Sequence, residues 1–288
     1  MKVLFKGTRG TMPVPGKDTV KYGGNTSCVM VEADGKILYF DAGSGLSVKK
    51  TQSETDILKD VSGNVFHLFL SHLHYDHMIG FPFFRPFFDK KAVVDIYGPK
   101  PDGLDSLEDA LRQYLRAPFM PFNFDTYRAN IRIHQLGGSA HLSLSERLDV
   151  DVFELVHPNG CFSYRLTLHN PQSNKNVIFV YATDTMDFTG RKREEFLRFI
   201  EGADLLVIDA FFDDNEMNGT FDGIDKRAWG HCSWEQAVAL AQQGNVSKLA
   251  LFHHLDTRTD TELDEIENEA KVVFPGAFCA FDGCLLEL

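Results

Sequence analysis

The segment from 71 to 77 (SHLHYDH) constrains this chain most, because it places three histidines and an aspartate directly after an apolar run. Residues two apart on an extended segment point the same way, so His72 and His74 can converge on one metal ion. Where the chain turns into a following helix, Asp76 and His77 are directed at a second point nearby. Imidazole and carboxylate ligands suit zinc, manganese or iron. A polar surface loop is the alternative, but histidine is scarce and the spacing fits metal ligands, so the segment predicts a metal centre.

Short apolar runs that end in polar residues recur along the chain. These runs predict buried strands at residues 37–40, 65–70, 177–181, 205–208 and 249–252. Helices are predicted between them, from capping-box patterns at 233–236 and 259–262 and from the periodicity of 104–115. This order indicates an α/β fold that gathers polar groups at one set of strand ends. No repeat or low-complexity linker occurs, so we predict a single domain over residues 1–288.

Composition limits the partners and the cell compartment. The formal net charge is −12, and no basic cluster is longer than residues 191–193. Extended nucleic acids usually meet a basic face, so a small substrate is favoured and an extended nucleic acid is unlikely. The chain has neither a long uncharged apolar run nor a secretory leader at its start, which predicts no membrane partner. Its five cysteines form no CxxC pair, which favours a cytoplasmic location.

The HxHxDH pattern after a strand resembles the metal motif of the metallo-β-lactamase superfamily, and further motifs fit in order over nearly the whole chain. The resemblance implies an αββα sandwich of two mixed sheets flanked by helices. It makes Asp41 a carboxylate that supports the metal site. It adds His157, Asp184 and His253 as further ligands.

The resemblance also implies how the ligands are shared between two divalent metal ions, with zinc favoured and manganese or iron as alternatives. One ion takes His72, His74 and His157, the other takes Asp76, His77 and His253, and Asp184 bridges both. His254 competes with His253 for the last position. We prefer His253 because it follows the apolar run directly.

Two ions about 3.5–4 Å apart share a hydroxide at neutral pH and neutralise developing negative charge. This arrangement suits the hydrolysis of a phosphodiester, a thioester or a lactam, so the metal motif alone does not choose the reaction. The segment 230–233 (GHCS) is more informative. His231 there resembles the accessory histidine of the ribonuclease Z-like branch, which faces the scissile phosphate.

In that branch the accessory histidine has a carboxylate partner at the end of an upstream strand, where glutamate is common. Asp209 occupies the corresponding position here and is one methylene shorter. The structural alternative makes His231 a neighbour of a helix cap and Asp209 a turn former. We take His231, Asp209 and Asp76 as the catalytic candidates.

One departure from ribonuclease Z bears on the substrate. That enzyme commonly carries a long arm between the third and fourth motifs, whereas residues 158–183 leave room here only for a strand hairpin. We therefore predict a phosphodiesterase acting on a small phosphodiester such as a cyclic nucleotide. A thioester, lactone or lactam hydrolase is the alternative, and a non-catalytic metal-binding sensor module is a second one. A pocket wall or a base-stacking surface is one interpretation of the aromatic segments 81–88 and 118–124, and a place in the core or at a homodimer contact is the favoured one.

Overall fold

A computed structural model describes residues 1–48, 51–59, 61, 63–172, 175–220 and 222–288. Fourteen strands are found among them: β1 (Lys2–Gly7), β2 (Cys28–Ala33), β3 (Lys36–Phe40), β4 (Val65–Phe69), β5 (Val93–Pro99), β6 (Asn130–Leu136), β7 (His141–Ser143), β8 (Leu148–Glu154), β9 (Phe162–Leu168), β10 (Val177–Ala182), β11 (Leu205–Asp209), β12 (Leu249–Phe252), β13 (Ala277–Cys279) and β14 (Leu285–Glu287).

The α-helices lie between these strands or follow them. They are α1 (Ser44–Ser47), α2 (Gln52–Lys59), α3 (Tyr75–Met78), α4 (Leu107–Tyr114), α5 (Gly190–Ile200), α6 (Asp214–Met217), α7 (Trp234–Gln243) and α8 (Asp260–Val273). Short 3-10 helices occupy Lys17–Thr19, Phe81–Phe83, Arg85–Phe88 and Phe124–Thr126.

The strands form two mixed sheets of seven strands each, in the orders β14-β1-β2-β3-β4-β5-β6 and β13-β12-β11-β10-β9-β8-β7. Strands β3 to β6 are parallel in the first sheet, and β10 to β13 are parallel in the second. Buried aromatic side chains such as Phe40, Phe69 and Tyr164 pack between the two sheets. Two further apolar clusters fill the space between each sheet and its helices. The predicted αββα sandwich is confirmed.

The predicted elements are found close to their expected positions. All five apolar runs are strands, and the residues that end them stand at one edge of the sandwich. Ser233 and Thr259 accept hydrogen bonds from the third residue of α7 and α8 and complete both capping boxes. The helix expected over 104–115 begins only at Leu107, because Ser106 caps it by accepting from the amide of Asp109.

Three of the residues that follow these strands adopt a backbone conformation that only glycine enters freely. The φ angles are 61° at Asp41, 48° at Asp184 and 57° at His253. Such values are uncommon for other residues and cluster at functional sites. Each turns the chain sharply at a strand end, so that its side chain faces the space between the two sheet edges.

None of the helices within the described ranges combines the length and apolar character that a membrane span requires. The aromatic segments divide between two environments: Phe81, Phe84 and Phe87 are in the core, whereas Phe83 and Phe119 are exposed. The expected core role is thus met by part of the first segment and, in the second, by Phe124. The homodimer and the single-domain boundary stay predictions.

Candidate metal centre

Four of the side chains singled out from the sequence meet around one point. His72, His74, His157 and Asp184 each offer a ligand atom, and these atoms lie within 4.8 Å of one another. Nδ1 of His74 is 3.1 Å from Nε2 of His157. The histidines come from the loop after β4 and from the loop after β8, so two different sheets contribute to the group.

A second group lies beside the first. Asp76, His77 and His253 also offer atoms within 4.8 Å of one another. Oδ2 of Asp76 is 3.3 Å from Nε2 of His77 and 3.1 Å from Nε2 of His253. Helix α3 carries the first two side chains, and His253 reaches them from the end of β12.

Asp184 stands between the two groups. Its Oδ1 is 3.2 Å from His77 and 3.3 Å from His253, and its Oδ2 is 3.6 Å from His72 and 3.7 Å from His157. One carboxylate thus directs one oxygen at each group, as a bridging ligand would. The structure brings together all seven residues that the sequence singled out as ligands.

His254 points away from the cluster. Its Nε2 donates to the carbonyl of Ala280 at 2.8 Å, on the far side of β12. The choice between the adjacent histidines therefore falls on His253.

Hydrogen bonds fix the orientation of the histidine rings. Nδ1 of His77 donates to Asp41 at 2.7 Å, and Nδ1 of His157 donates to the carbonyl of Gly230 at 2.8 Å. Nδ1 of His72 donates to Ser71, whose hydroxyl donates in turn to Asp41. A histidine whose Nδ1 carries the proton presents the lone pair of Nε2. The rings of His72 and His157 therefore present Nε2 lone pairs to the centre. Burial alone would lower the pKa of His77, but the carboxylates of Asp184, Asp76 and Asp41 raise it, so this ring would release a proton from Nε2 when it binds a metal ion.

Asp41 supports the cluster from beneath and is fully buried. It accepts hydrogen bonds from the amide and hydroxyl of Ser71, from His77 and from the hydroxyl of Tyr181, all at 2.7 Å. Two of the donor residues, Ser71 and His77, belong to the segment 71–77, and the third, Tyr181, belongs to β10. This carboxylate therefore ties the histidine run to the second sheet.

The protonation states in the cluster suit metal ligation. Burial lowers the pKa values of His72, His74 and His157, which keeps these imidazoles neutral. Burial alone would raise the pKa of Asp184, but His253 and His77 hold it well below its ordinary value. The carboxylate is therefore ionised and the three imidazoles have free lone pairs, as coordination requires.

The residues present fit divalent metal ions. Nε2 of His72 is buried and has no hydrogen-bond partner, although buried polar atoms nearly always have one. Two ionised carboxylates and five imidazoles with nitrogens facing one space supply the oxygen and nitrogen donors that divalent transition metals prefer. A metal ion would satisfy the unpartnered nitrogen.

His231 lies at the edge of the cluster, with a ligand-type atom within 4.8 Å of those of Asp184 and His253. Its Nδ1 donates to Oδ2 of Asp209 at 2.7 Å, so the shorter aspartate does reach the ring. Burial opposes protonation of this ring, but Asp209 outweighs it and raises the pKa of His231 to about 9. Nδ1 is occupied, which leaves Nε2 as the nitrogen that can meet a substrate.

Several contacts around the cluster were not predicted. The amide of Thr11 donates to Oδ2 of Asp76 at 2.9 Å, and a Cβ on Gly10 would lie 2.5 Å from the ring of His253. Phe211 stacks on His231, with ring centroids 4.4 Å apart. Gly10 was the visible sequence signal for the close approach of the N-terminal segment to His253. Nothing in the sequence pattern marks the stacking of Phe211 on His231.

The burial of Asp41 leads to a testable expectation. Asp41→Asn would turn an amide donor toward groups that are themselves donors, and it would weaken the orientation of His72 and His77. We expect metal affinity to fall by about 10- to 100-fold, as is usual for groups that support metal ligands. Competition with a chromophoric chelator measures the loss.

Asp95→Asn is a matched control, because Asp95 is equally buried but holds Arg132 and His134 instead. It should lower stability in urea while metal affinity stays at the wild-type value. Equal metal affinity of the Asp41→Asn protein and the wild type would contradict the supporting role of Asp41.

Comparison with known proteins identifies the family of this chain. A family model described as a β-lactamase superfamily domain matches residues 36–254. A protein named ribonuclease Z from Picrophilus torridus is 24% identical over 311 aligned positions, covering 96% of this chain and 92% of the relative.

Solved structures show the same fold. The metallo-β-lactamase fold protein YhfI from Bacillus subtilis has a TM-score of 0.68 and 20% identity, with 100% of this chain and 98% of that chain covered. The short form of human tRNase Z has a TM-score of 0.65 and 20% identity, with 100% of this chain and 99% of that chain covered. The predicted class, a metal-dependent hydrolase with ribonuclease Z-like relatives, is confirmed. The chain belongs to the metallo-β-lactamase superfamily.

Proposed function

We propose that this protein is a dinuclear metal-dependent phosphodiesterase that acts on a small phosphodiester, such as a cyclic nucleotide. The observation that carries the proposal is the position of His231 beside the ligand cluster, backed by Asp209 at 2.7 Å. Thioester hydrolysis releases a thiolate, which leaves without a proton, so it has less need of such a group than hydrolysis of an alkyl phosphodiester. A histidine held in this way can stabilise or protonate the oxygen that leaves phosphorus.

The residues that would hold the ions follow from the two groups. His72, His74 and His157 would bind one ion, Asp76, His77 and His253 the other, and Asp184 both. Zinc suits these donors, and manganese or iron would be accepted by the same set. When bound, two divalent ions lower the pKa of water and neutralise charge that develops on the phosphate.

The protein groups contribute orientation and proton transfer. His231 would hold a proton at Nε2, facing the leaving oxygen. Asp209 acts through His231 as a positioning residue, and its Oδ2 and Oδ1 also accept from the amides of Thr185 and Phe211. Asp76 is held by the amide of Thr11 and by His253, so its carboxylate has a fixed direction.

The choice of a small substrate rests on the acidic balance of the chain and on the short connection between His157 and Asp184. Strands β9 and β10 form an antiparallel hairpin there, joined by residues 169–176. The relatives named ribonuclease Z weaken our expectation that an extended nucleic acid is unlikely. RNA is therefore the second candidate substrate.

A substrate panel tests the proposal. The metal-loaded protein should hydrolyse bis-(p-nitrophenyl) phosphate and nucleoside 2′,3′-cyclic phosphates, with no comparable turnover of a thioester or a lactam. Cleavage of an RNA with a 3′ extension, far faster than that of the small esters, would favour the second candidate. Turnover of carbon esters alone would overturn the proposal, and binding of metal without any turnover would favour a sensor module.

A further inference from the structure

A cavity of about 710 Å³ opens beside His231, on the side away from His157. Phe211, Phe212 and Trp229 line it, together with Leu255 and several charged side chains. His231 belongs to this wall and also faces the metal-ligand cluster. A substrate whose phosphate lies at the cluster can therefore extend a second group into the cavity.

The wall offers an aromatic surface. Phe211 and Phe212 are buried, whereas Trp229 is 51% exposed. The rings of Phe212 and Trp229 meet nearly edge to face, with centroids 6.3 Å apart. A half-exposed indole at the border of a cavity is a platform on which a flat ring can stack, and such stacking tolerates any base.

The charges in the wall disfavour a second phosphate. Glu216 pairs with Arg258, and Asp222 pairs with Lys226. Asp256 also lines the cavity and interacts electrostatically with Arg9. Three carboxylates and a lysine that is already paired thus line the cavity, which disfavours a second anion there.

The loop that carries Trp229 is tied to the metal centre. The carbonyl of Gly230 accepts from His157 at 2.8 Å, and the next residue, His231, is held by Asp209. The amide of Trp229 itself donates to the carbonyl of Lys226 at 2.9 Å. These bonds anchor the backbone on both sides of the indole next to the metal-ligand cluster.

We infer that this cavity binds the base of a nucleoside phosphodiester by stacking on Trp229, while the phosphate lies at the metal centre. The inference rests on the proposed phosphodiesterase function and narrows its substrate to an ester that carries a base. The aromatic side chains of the wall select the base, and the metal ligands with His231 act on the phosphate.

Two cyclic esters test the inference, because they share a ribose 2,3-cyclic phosphate and differ in the base. Adenosine 2′,3′-cyclic phosphate should be preferred over methyl β-ribofuranoside 2,3-cyclic phosphate in kcat/KM, as followed by ³¹P NMR. Trp229→Ala should reduce this preference by about ten-fold, whereas Trp229→Phe should keep most of it. Phe119→Ala removes an exposed aromatic ring that does not line the cavity and should leave the preference unchanged.

Binding gives a second readout that does not depend on turnover. The chain has two tryptophans, and Trp234 is buried, so a base that stacks on Trp229 should quench the exposed fluorophore. Adenosine 3′-monophosphate should quench saturably in the wild type and not in Trp229→Phe.

Hydrolysis of both esters with a preference that Trp229→Ala leaves intact would overturn the base pocket alone. Failure of the wild type to hydrolyse either ester would overturn the proposed function and the pocket with it.

Discussion

Asp184→Asn is expected to lower phosphodiester turnover by at least about a thousand-fold and to reduce the metal content of the protein. Asp184 is the one carboxylate that directs an oxygen at each ligand group, with contacts of 3.2 Å to His77 and 3.6 Å to His72. Asparagine keeps the shape but removes the negative charge that two cations would share. Steady-state kinetics and metal analysis by mass spectrometry measure the two effects.

Asp187→Asn is the matched control for this variant. Asp187 lies on the same loop but pairs with Arg193 at the protein surface, away from the cluster. It should retain wild-type metal content and turnover. Full metal content and undiminished turnover in Asp184→Asn would rule out the bridging role.

His231→Ala should lower turnover of phosphodiesters with alkoxide leaving groups by about 100- to 1,000-fold, with the metal content unchanged. An alkoxide needs a proton as it departs, whereas p-nitrophenolate does not. The loss should therefore be smaller, about ten-fold, for bis-(p-nitrophenyl) phosphate. A plot of the logarithm of the rate against the pKa of the leaving alcohol, for wild type and variant, shows whether the loss of activity grows with the basicity of the leaving group.

Asp209→Asn provides the companion measurement, because its side chain reaches the substrate only through His231. A smaller loss with the same dependence on the leaving group is expected. If His231→Ala lost metal together with activity, the ring would be a ligand rather than a proton donor. An equal loss for all leaving groups would exclude proton transfer and leave only electrostatic stabilisation.

The metal centre was largely predictable because its first four candidates are neighbours in the sequence. His72, His74, Asp76 and His77 follow one strand, and their alternation and the following turn suffice to direct them at a common space. His157, Asp184 and His253 are isolated residues, and only the order of family motifs pointed to them. The α/β class followed from the order of buried strands and capped helices, whereas the αββα sandwich was implied only by the family resemblance.

Contacts between distant segments were not predictable. Tyr181 belongs to an apolar run and was expected in the core, yet its hydroxyl donates to Asp41 across the two sheets. Trp229 has no periodic pattern around it, and only the folded loop reveals that it lines the cavity. Whether the side chain of Asp209 contacts His231 depends on how closely β11 approaches the segment 230–233. That distance could not be predicted from the length of the aspartate side chain.

The most direct test of the account is the metal content of the purified wild-type protein, determined together with its turnover of bis-(p-nitrophenyl) phosphate before and after chelation. We predict about two divalent ions per chain, turnover that chelation abolishes, and turnover that returns when metal is added. Phosphodiester turnover that survives complete removal of metal, or a fully metal-loaded protein with no turnover of any phosphodiester, would contradict the account.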